Sequence, residues 1–173
     1  MDFQRYVVRS DLLTEKFLYG LDPSLSCTGI AIVSLRTKEP VLITSIKTKQ
    51  NKQLNEYDDH KERLKIITDT YDELINTYPV HAVAIEYPFV KFNKSTKAVM
   101  KVHGVTQRWF YNYPQYFYAP TTIKATITGN GQAKKEIIEQ VLKRMFPNIK
   151  FKNSDESDAL GVAVTCMIKN KLI

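Results

Sequence analysis

Phe17-Leu18-Tyr19-Gly20-Leu21-Asp22 is the stretch whose reading decides the fold. Five mainly apolar residues are too few for a stable helix, and a turn signal follows directly at Pro23, so the run reads as a buried strand tipped by a carboxylate. Residues 23–27 make the turn, and residues 28–35, rich in Ile and Val, form a second strand. Thr37-Lys38-Glu39-Pro40 is a hairpin connection into a third strand over 41–49. Turns this short leave no room for a crossover, so the three strands are antiparallel.

Beyond them the period changes. Tyr57, Leu64, Ile67, Tyr71, Leu74 and Tyr78 fall at helical spacing within residues 55–78, and Pro79 ends that helix. The next strand, 81–86, arrives by a helical crossover and therefore lies parallel to a strand already in the sheet. A helix over 95–113 buries Val99, Val102, Val105, Trp109 and Phe110, and a strand over 116–119 follows. Pro120-Thr121-Thr122 starts a short helix, Gly129-Asn130-Gly131 interrupts, and helices follow over 134–146 and 155–171. The result is an α/β chain: a mixed five-stranded sheet, three antiparallel then two parallel strands, with helices on both faces. No repeat or linker divides residues 17–173, which read as one domain. Residues 1–16 fit a short helix, an added strand or a flexible arm equally well.

Four acids stand at the ends of these elements. Asp22 and Glu86 close strands, and Asp155 and Asp158 open the last helix, three apart and on one face. If the first and fourth strands are neighbours, their tips lie about 4.8 Å apart, at the edge where open α/β sheets bind ligands. A buried carboxylate is costly, and converging carboxylates repel by about 4 kcal/mol per pair at 4 Å and an effective dielectric near 20. Divalent cations relieve that repulsion. Hard Mg²⁺ prefers oxygen ligands and keeps several waters, so few carboxylates suffice; two such ions flanking a phosphate would perform phosphoryl transfer, with Asp22 the natural bridging ligand. Singly, each acid has a plainer role: a turn starter, a solvated strand end, or a helix cap.

Composition agrees with a folded nucleic-acid protein. The chain has 173 residues, 43% hydrophobic and 11% aromatic, with a net charge of +7. That charge favours DNA or RNA, with an anionic membrane surface second. No apolar run approaches the roughly 20 residues of a membrane span, and Asp2, Arg5, Arg9, Asp11 and Glu15 make a poor secretory signal. Cys27 and Cys166 have no metal-ligand spacing and read as buried free thiols of a cytoplasmic protein. His60, His81 and His103 read as ordinary surface or core histidines.

Several motifs resemble one family. Gly20-Leu21-Asp22-Pro23 followed by Thr28-Gly29, then Ala84-Ile85-Glu86, the loop Gly129-Asn130-Gly131-Gln132-Ala133-Lys134-Lys135, and Asp155-Glu156-Ser157-Asp158-Ala159-Leu160 are similar to the RuvC family of Holliday junction resolvases. The resemblance covers about residues 17–170. It implies a ribonuclease H-like fold, catalytic and metal-binding roles for Asp22, Glu86, Asp155 and Asp158, and Mg²⁺ as cofactor with Mn²⁺ substituting. It further implies Lys124 and Lys135 near the scissile phosphate, Phe89 against bases at the junction centre, branched DNA as partner, no nucleotide cofactor, and a homodimer in a bacterial or phage-infected cell. Ser24 stands where the family usually has glycine, and residues 1–16 have no counterpart in the compact bacterial enzymes. These departures are those of a divergent, bacteriophage-type member whose selectivity extends to forks and flaps.

Lys91, Lys94, Lys97 and Lys101 follow Glu86 and form either a solvated helix face or a track for DNA phosphate. Lys134 joins Lys124 and Lys135 in a second basic group. Val99, Val102, Val105 and Trp109, with Gly104 among them, fit core packing that continues into a dimer contact. Two other functions are compatible with parts of the pattern. A non-catalytic branched-DNA-binding module would have no use for clustered acids facing DNA. An actin-like ATPase could use Ser24, Ser26, Thr28 and Gly29 as a phosphate loop, but 173 residues are too few for two such domains around a nucleotide.

Overall fold

The computed structural model describes residues 15–88 and 94–172. Phe89 and Lys91 lie outside the described residues, as do residues 1–14, and Lys94 is described only in its backbone. In chain order the elements are β1 (Phe17–Asp22), β2 (Cys27–Ser34), β3 (Pro40–Lys47), α1 (Glu56–Thr77), β4 (Val80–Glu86), α2 (Lys94–Trp109), β5 (Gln115–Tyr118), α3 (Pro120–Thr128), α4 (Lys135–Met145) and α5 (Ser154–Lys169). They form one sheet of order β3-β2-β1-β4-β5. The three antiparallel and two parallel strands are as expected, with β1 central between antiparallel β2 and parallel β4. Element ends differ from the sequence reading by one to a few residues, where caps rather than apolar spacing set the boundary.

Alternation along the strands separates two cores. Leu18, Ala31, Val33, Ala82 and Ala84 turn toward α3, α4 and α5. Phe17, Tyr19, Leu21, Ile30, Ile32, Val83 and Ile85 turn toward α1 and α2. Gly20, Gly29, Ala31, Ala82 and Ala84 leave space on this face, and this lets α5 lie very close to the sheet. Where Gly20 and Gly29 face α5, an added Cβ would stand 2.3 Å from the Ala159 carbonyl oxygen and 2.0 Å from that of Asp155. Apart from half-buried Asp158, residues from Glu156 to Met167 are buried, so α5 is the central helix of the molecule.

The opposite face needs larger side chains, and one of them ties α1 down. The buried Tyr19 hydroxyl lies 2.9 Å from the Leu74 carbonyl and 2.8 Å from that of Tyr78, where it caps the end of α1. At the other end Asn55 accepts from the backbone N–H groups of Tyr57 and Asp58, both at 3.0 Å, an ordinary N-cap.

Some burial expectations fail. Tyr57, in the first turn of α1, is 79% exposed. Trp109 is 38% exposed and donates its indole N–H to Asp72 of α1 at 2.9 Å. Val102 and Phe110 are buried, as expected, whereas Val99 and Val105 are half-buried. Cys166 is buried but Cys27 only half-buried; both are free. Glu15 and Lys16, the described end of the N-terminal segment, attach to β2: Glu15 is held by the Ser34 hydroxyl, and Lys16 accepts the Leu35 N–H at 3.0 Å. Among the described residues no helix is long and apolar enough to cross a membrane.

Candidate active site

Asp22 is the last residue of β1, opposite Gly29 of β2. On its other side Leu21 pairs with Ile85 of β4, which sets Asp22 beside Glu86 at one edge of the sheet. The turn after Asp22 is internally braced. Thr28 donates its hydroxyl to the Ser24 carbonyl at 2.7 Å, and the Ser24 N–H approaches the same hydroxyl oxygen at 3.2 Å. Thr48 holds the turn from outside, its hydroxyl on the Leu25 carbonyl and its N–H on that of Ser26. Ser24 is thus accommodated by side-chain bracing, without the flexibility of glycine.

The first turn of α5 supplies the other two acids. Gly29 admits the Asp155 carbonyl against β2, and this close approach brings Asp155 and Asp158 to the same edge. Asp158 is paired with the Lys135 ammonium. Lys135 opens α4, while Lys134, its N-cap, is exposed. Glu86, Asp158, Lys124 and Lys135 line one cleft of about 150 Å³, walled by Pro120, Ile123, Ile138 and Gly161.

The electrostatics tie these residues into one cluster. Burial first, then the charges of Asp158 and Asp155, pushes Asp22 up to about 7 against the opposing pull of Lys135. Burial, then Asp22 and Asp158, pushes Glu86 up to about 8, with Lys135 and Lys124 opposing. Partial burial works against the Lys135 ammonium, but Asp158, Asp22 and Glu86 outweigh it and raise its affinity for the proton. Negative charge here exceeds what two lysines offset. All the surplus donors are hard carboxylate oxygens, the set a divalent cation such as Mg²⁺ takes. Among the described residues no three acids, histidines or cysteines already enclose a point where an ion would sit; Lys135 occupies Asp158 instead. The chemistry of the donors fits a cation, and the cluster would have to tighten to grip one.

The acids expected to converge are coupled to one another, and the described lysines of α2 take separate places. Lys101 turns toward α1, its ammonium 2.9 Å from His60 Nδ1 and 5.0 Å from the centre of the Tyr57 ring. Lys97 is exposed. His103 is buried with Nδ1 unpartnered, and burial lowers it to about 4, which makes it a neutral core residue.

A family model described as crossover junction endodeoxyribonuclease RuvC matches residues 18–166, from before Asp22 to beyond Asp158. The chain belongs to the RuvC family. Curated RuvC proteins of Rickettsia massiliae and Christiangramia forsetii are each 33% identical over 162 residues; the matches cover 87% and 90% of this chain and 96% and 81% of those proteins. Thermus thermophilus RuvC has the same fold, with TM-score 0.76, 23% identity, and coverage of 90% of this chain and 96% of that one. A second T. thermophilus RuvC structure, in complex with Holliday junction substrate, gives TM-score 0.77 at 21% identity, covering 90% and 95%. The RuvC resemblance and the ribonuclease H-like mixed sheet are therefore both borne out. The RuvC match spans the whole site and leaves the N-terminal segment outside it.

Proposed function

We propose that this chain is a divalent-metal-dependent endodeoxyribonuclease that hydrolyses phosphodiester bonds in Holliday junctions and related branched DNA, with residues 17–173 as its nuclease unit. One observation carries the reading: in a RuvC-family chain, acids from three separated segments share one electrostatic cluster with Lys135 and, through Glu86, Lys124. Asp22, Glu86, Asp155 and Asp158 would hold the metal, Mg²⁺ with Mn²⁺ able to substitute. When bound, two such ions supply the positive charge that activates water and stabilises the departing oxygen. Water attacks phosphorus in line, the bond to the 3′ oxygen breaks, and that oxygen takes a proton, leaving 3′-hydroxyl and 5′-phosphate ends.

The chain's own groups do the rest. Lys124 and Lys135 lie in the same cleft as Glu86 and Asp158, suited to hold the scissile phosphate and its developing charge. Lys134 and Lys97 are exposed cations for flanking phosphates, with Phe89, Lys91, Lys94 and Lys101 completing the proposed DNA contact. If about six phosphates are contacted, log affinity should fall with log salt at a slope near −5, measured by fluorescence anisotropy. A homodimer would present two such sites to the two strands of a junction. Gly104 on α2 has no neighbour within 4 Å of an added Cβ, and Met100 is 51% exposed, which leaves that face open to a second copy. Sedimentation at micromolar concentration tests it, and a monomer would remove it.

The central test is a labelled four-way junction in Mg²⁺ and then Ca²⁺, beside a fork, a flap and plain duplex. Cleavage in Mg²⁺ with binding only in Ca²⁺ is expected. Binding without cleavage in both would make the protein a non-catalytic module.

The raised acids also set a pH dependence. A carboxyl whose folded pKa exceeds its unfolded value stabilises the fold fully below about pH 4, and that stability is lost as pH rises through the folded value. For Asp22 and Glu86 the window therefore ends at about 7 and about 8. Metal-free protein should melt at lower temperature as pH rises from 6 to 8.5, and added Mg²⁺ should recover more of the loss at the higher pH. A melting temperature flat over that range in both the wild-type and Glu86→Gln proteins would contradict the cluster.

A further inference from the structure

Glu156 lies between Asp155 and Asp158 in sequence but does not share their edge. It is 1% exposed and turned under α5 toward β3. Its carboxylate accepts the Lys152 N–H at 2.7 Å and is 3.4 Å from the Ser45 hydroxyl. Asn153, the N-cap of α5, accepts the Glu156 N–H at 3.1 Å and donates its side-chain amide to the Ser45 oxygen at 2.8 Å. Ser45, Asn153 and Glu156 thus close a loop of hydrogen bonds between a strand and the first helical turn, across 111 residues of chain. Ser45 is also the register partner of Gly29, the residue that admits the Asp155 carbonyl. The latch and the glycine contact therefore grip the same helical turn from adjacent strands.

A helix turns by about 100° per residue, so fixing the direction of Glu156 also fixes those of Asp155 and Asp158. The geometry points to Glu156 as a positioning residue: anchored by Lys152 and Ser45, it sets the rotation of the first turn of α5 and so presents Asp155 and Asp158 to a divalent cation. This rests on the metal-site reading above. Glu156 holds this place by hydrogen bonding, so its charge is dispensable: a glutamine keeps an acceptor for the Lys152 N–H and offers a donor to Ser45, whereas alanine keeps neither.

The test is Mn²⁺ binding to DNA-free protein by isothermal titration calorimetry at pH 8, with melting temperature measured in parallel. Glu156→Ala should weaken Mn²⁺ binding by about tenfold, the usual scale for loss of a residue that orients ligands. Glu156→Gln should stay within about twofold of wild type, and Ser45→Ala should shift in the same direction as the alanine variant by a smaller factor. Junction binding in Ca²⁺, which depends on the exposed lysines, should be unaffected by Ser45→Ala. A fall in melting temperature with unchanged Mn²⁺ affinity in Glu156→Ala, or in Ser45→Ala should the former not fold, would overturn the inference. Equal weakening in the Gln and Ala variants would overturn it too, since charge would then be the cause. Wild-type protein that binds no Mn²⁺ would sink the metal-site reading itself, a distinct failure.

Discussion

Asp22→Asn should abolish junction cleavage, by on the order of 10³-fold or more, while junction binding in Ca²⁺ stays the same or tightens. Asp22 is the acid whose charge is coupled to both members of the α5 pair, and it also acts on Glu86. Its charge is therefore coupled to all three of the other acids. An amide of the same shape removes a full negative charge from the place where positive ions would be held, and loss of one such electrostatic group typically costs 10²–10³-fold in rate. Losing a ligand to the ions themselves costs at least as much. Binding responds in the other direction, because one negative charge facing a polyanion disappears while the exposed lysines remain. The isosteric change also relieves the burial that raises Asp22, so the metal-free variant should melt no lower than wild type. A variant that cuts at the wild-type rate would remove Asp22 from the site.

Gly20→Ala should destabilise the protein by about 3 kcal/mol or more, toward the upper end of what overpacking costs. The added methyl would stand 2.3 Å from the Ala159 carbonyl oxygen and 2.7 Å from the Ala163 Cβ. The first is helix backbone, so no side chain can swing away; α5 as a whole would have to lift from β1. For a domain of this size that is a fall of roughly 10 °C in melting temperature, out of a total stability of about 5–15 kcal/mol. Gly29→Ala meets the Asp155 carbonyl oxygen at 2.0 Å and should displace a proposed ligand as well, so its cleavage rate should drop even at temperatures where it remains folded. Gly104→Ala is the control. Nothing lies within 4 Å of its new Cβ, and alanine in a helix should stabilise by about 0.5–1 kcal/mol. Equal melting temperatures for Gly20→Ala and wild type would mean that α5 does not seat on β1 as described.

The legible part of this protein is the part that local chemistry dictates. Runs of five or six apolar residues ended by an acid or a proline read as strands whatever surrounds them, and β1 and β4 came out with Asp22 and Glu86 at their tips. Antiparallel pairing followed from short turns and parallel pairing from a crossover, both constraints of chain length. The neighbourhood of Asp22 and Glu86 then needed only the inference that β1 and β4 adjoin, which their pairing bears out. Side chains with several possible partners were not legible. Lys101 read as either a solvated helix face or a phosphate track, and its neighbours His60 and Tyr57 come from another helix; Trp109 fitted the apolar stripe of α2 and lies exposed against Asp72. Glu156 drew no attention beside two candidate ligands, although Asn153 three residues before it is a capping pattern.

By itself the sequence determined the succession of elements and the residue types at their ends, because apolar period, proline and turn chemistry act over a few neighbouring residues. The tertiary structure alone decided which way each charged side chain faces: Lys135 onto Asp158, Lys101 onto His60, Glu156 beneath the helix toward Ser45. Those choices depend on partners tens to over a hundred residues away, and the close seating of α5 on Gly20 and Gly29 brings Asp158 and Glu156 within hydrogen-bonding reach of theirs.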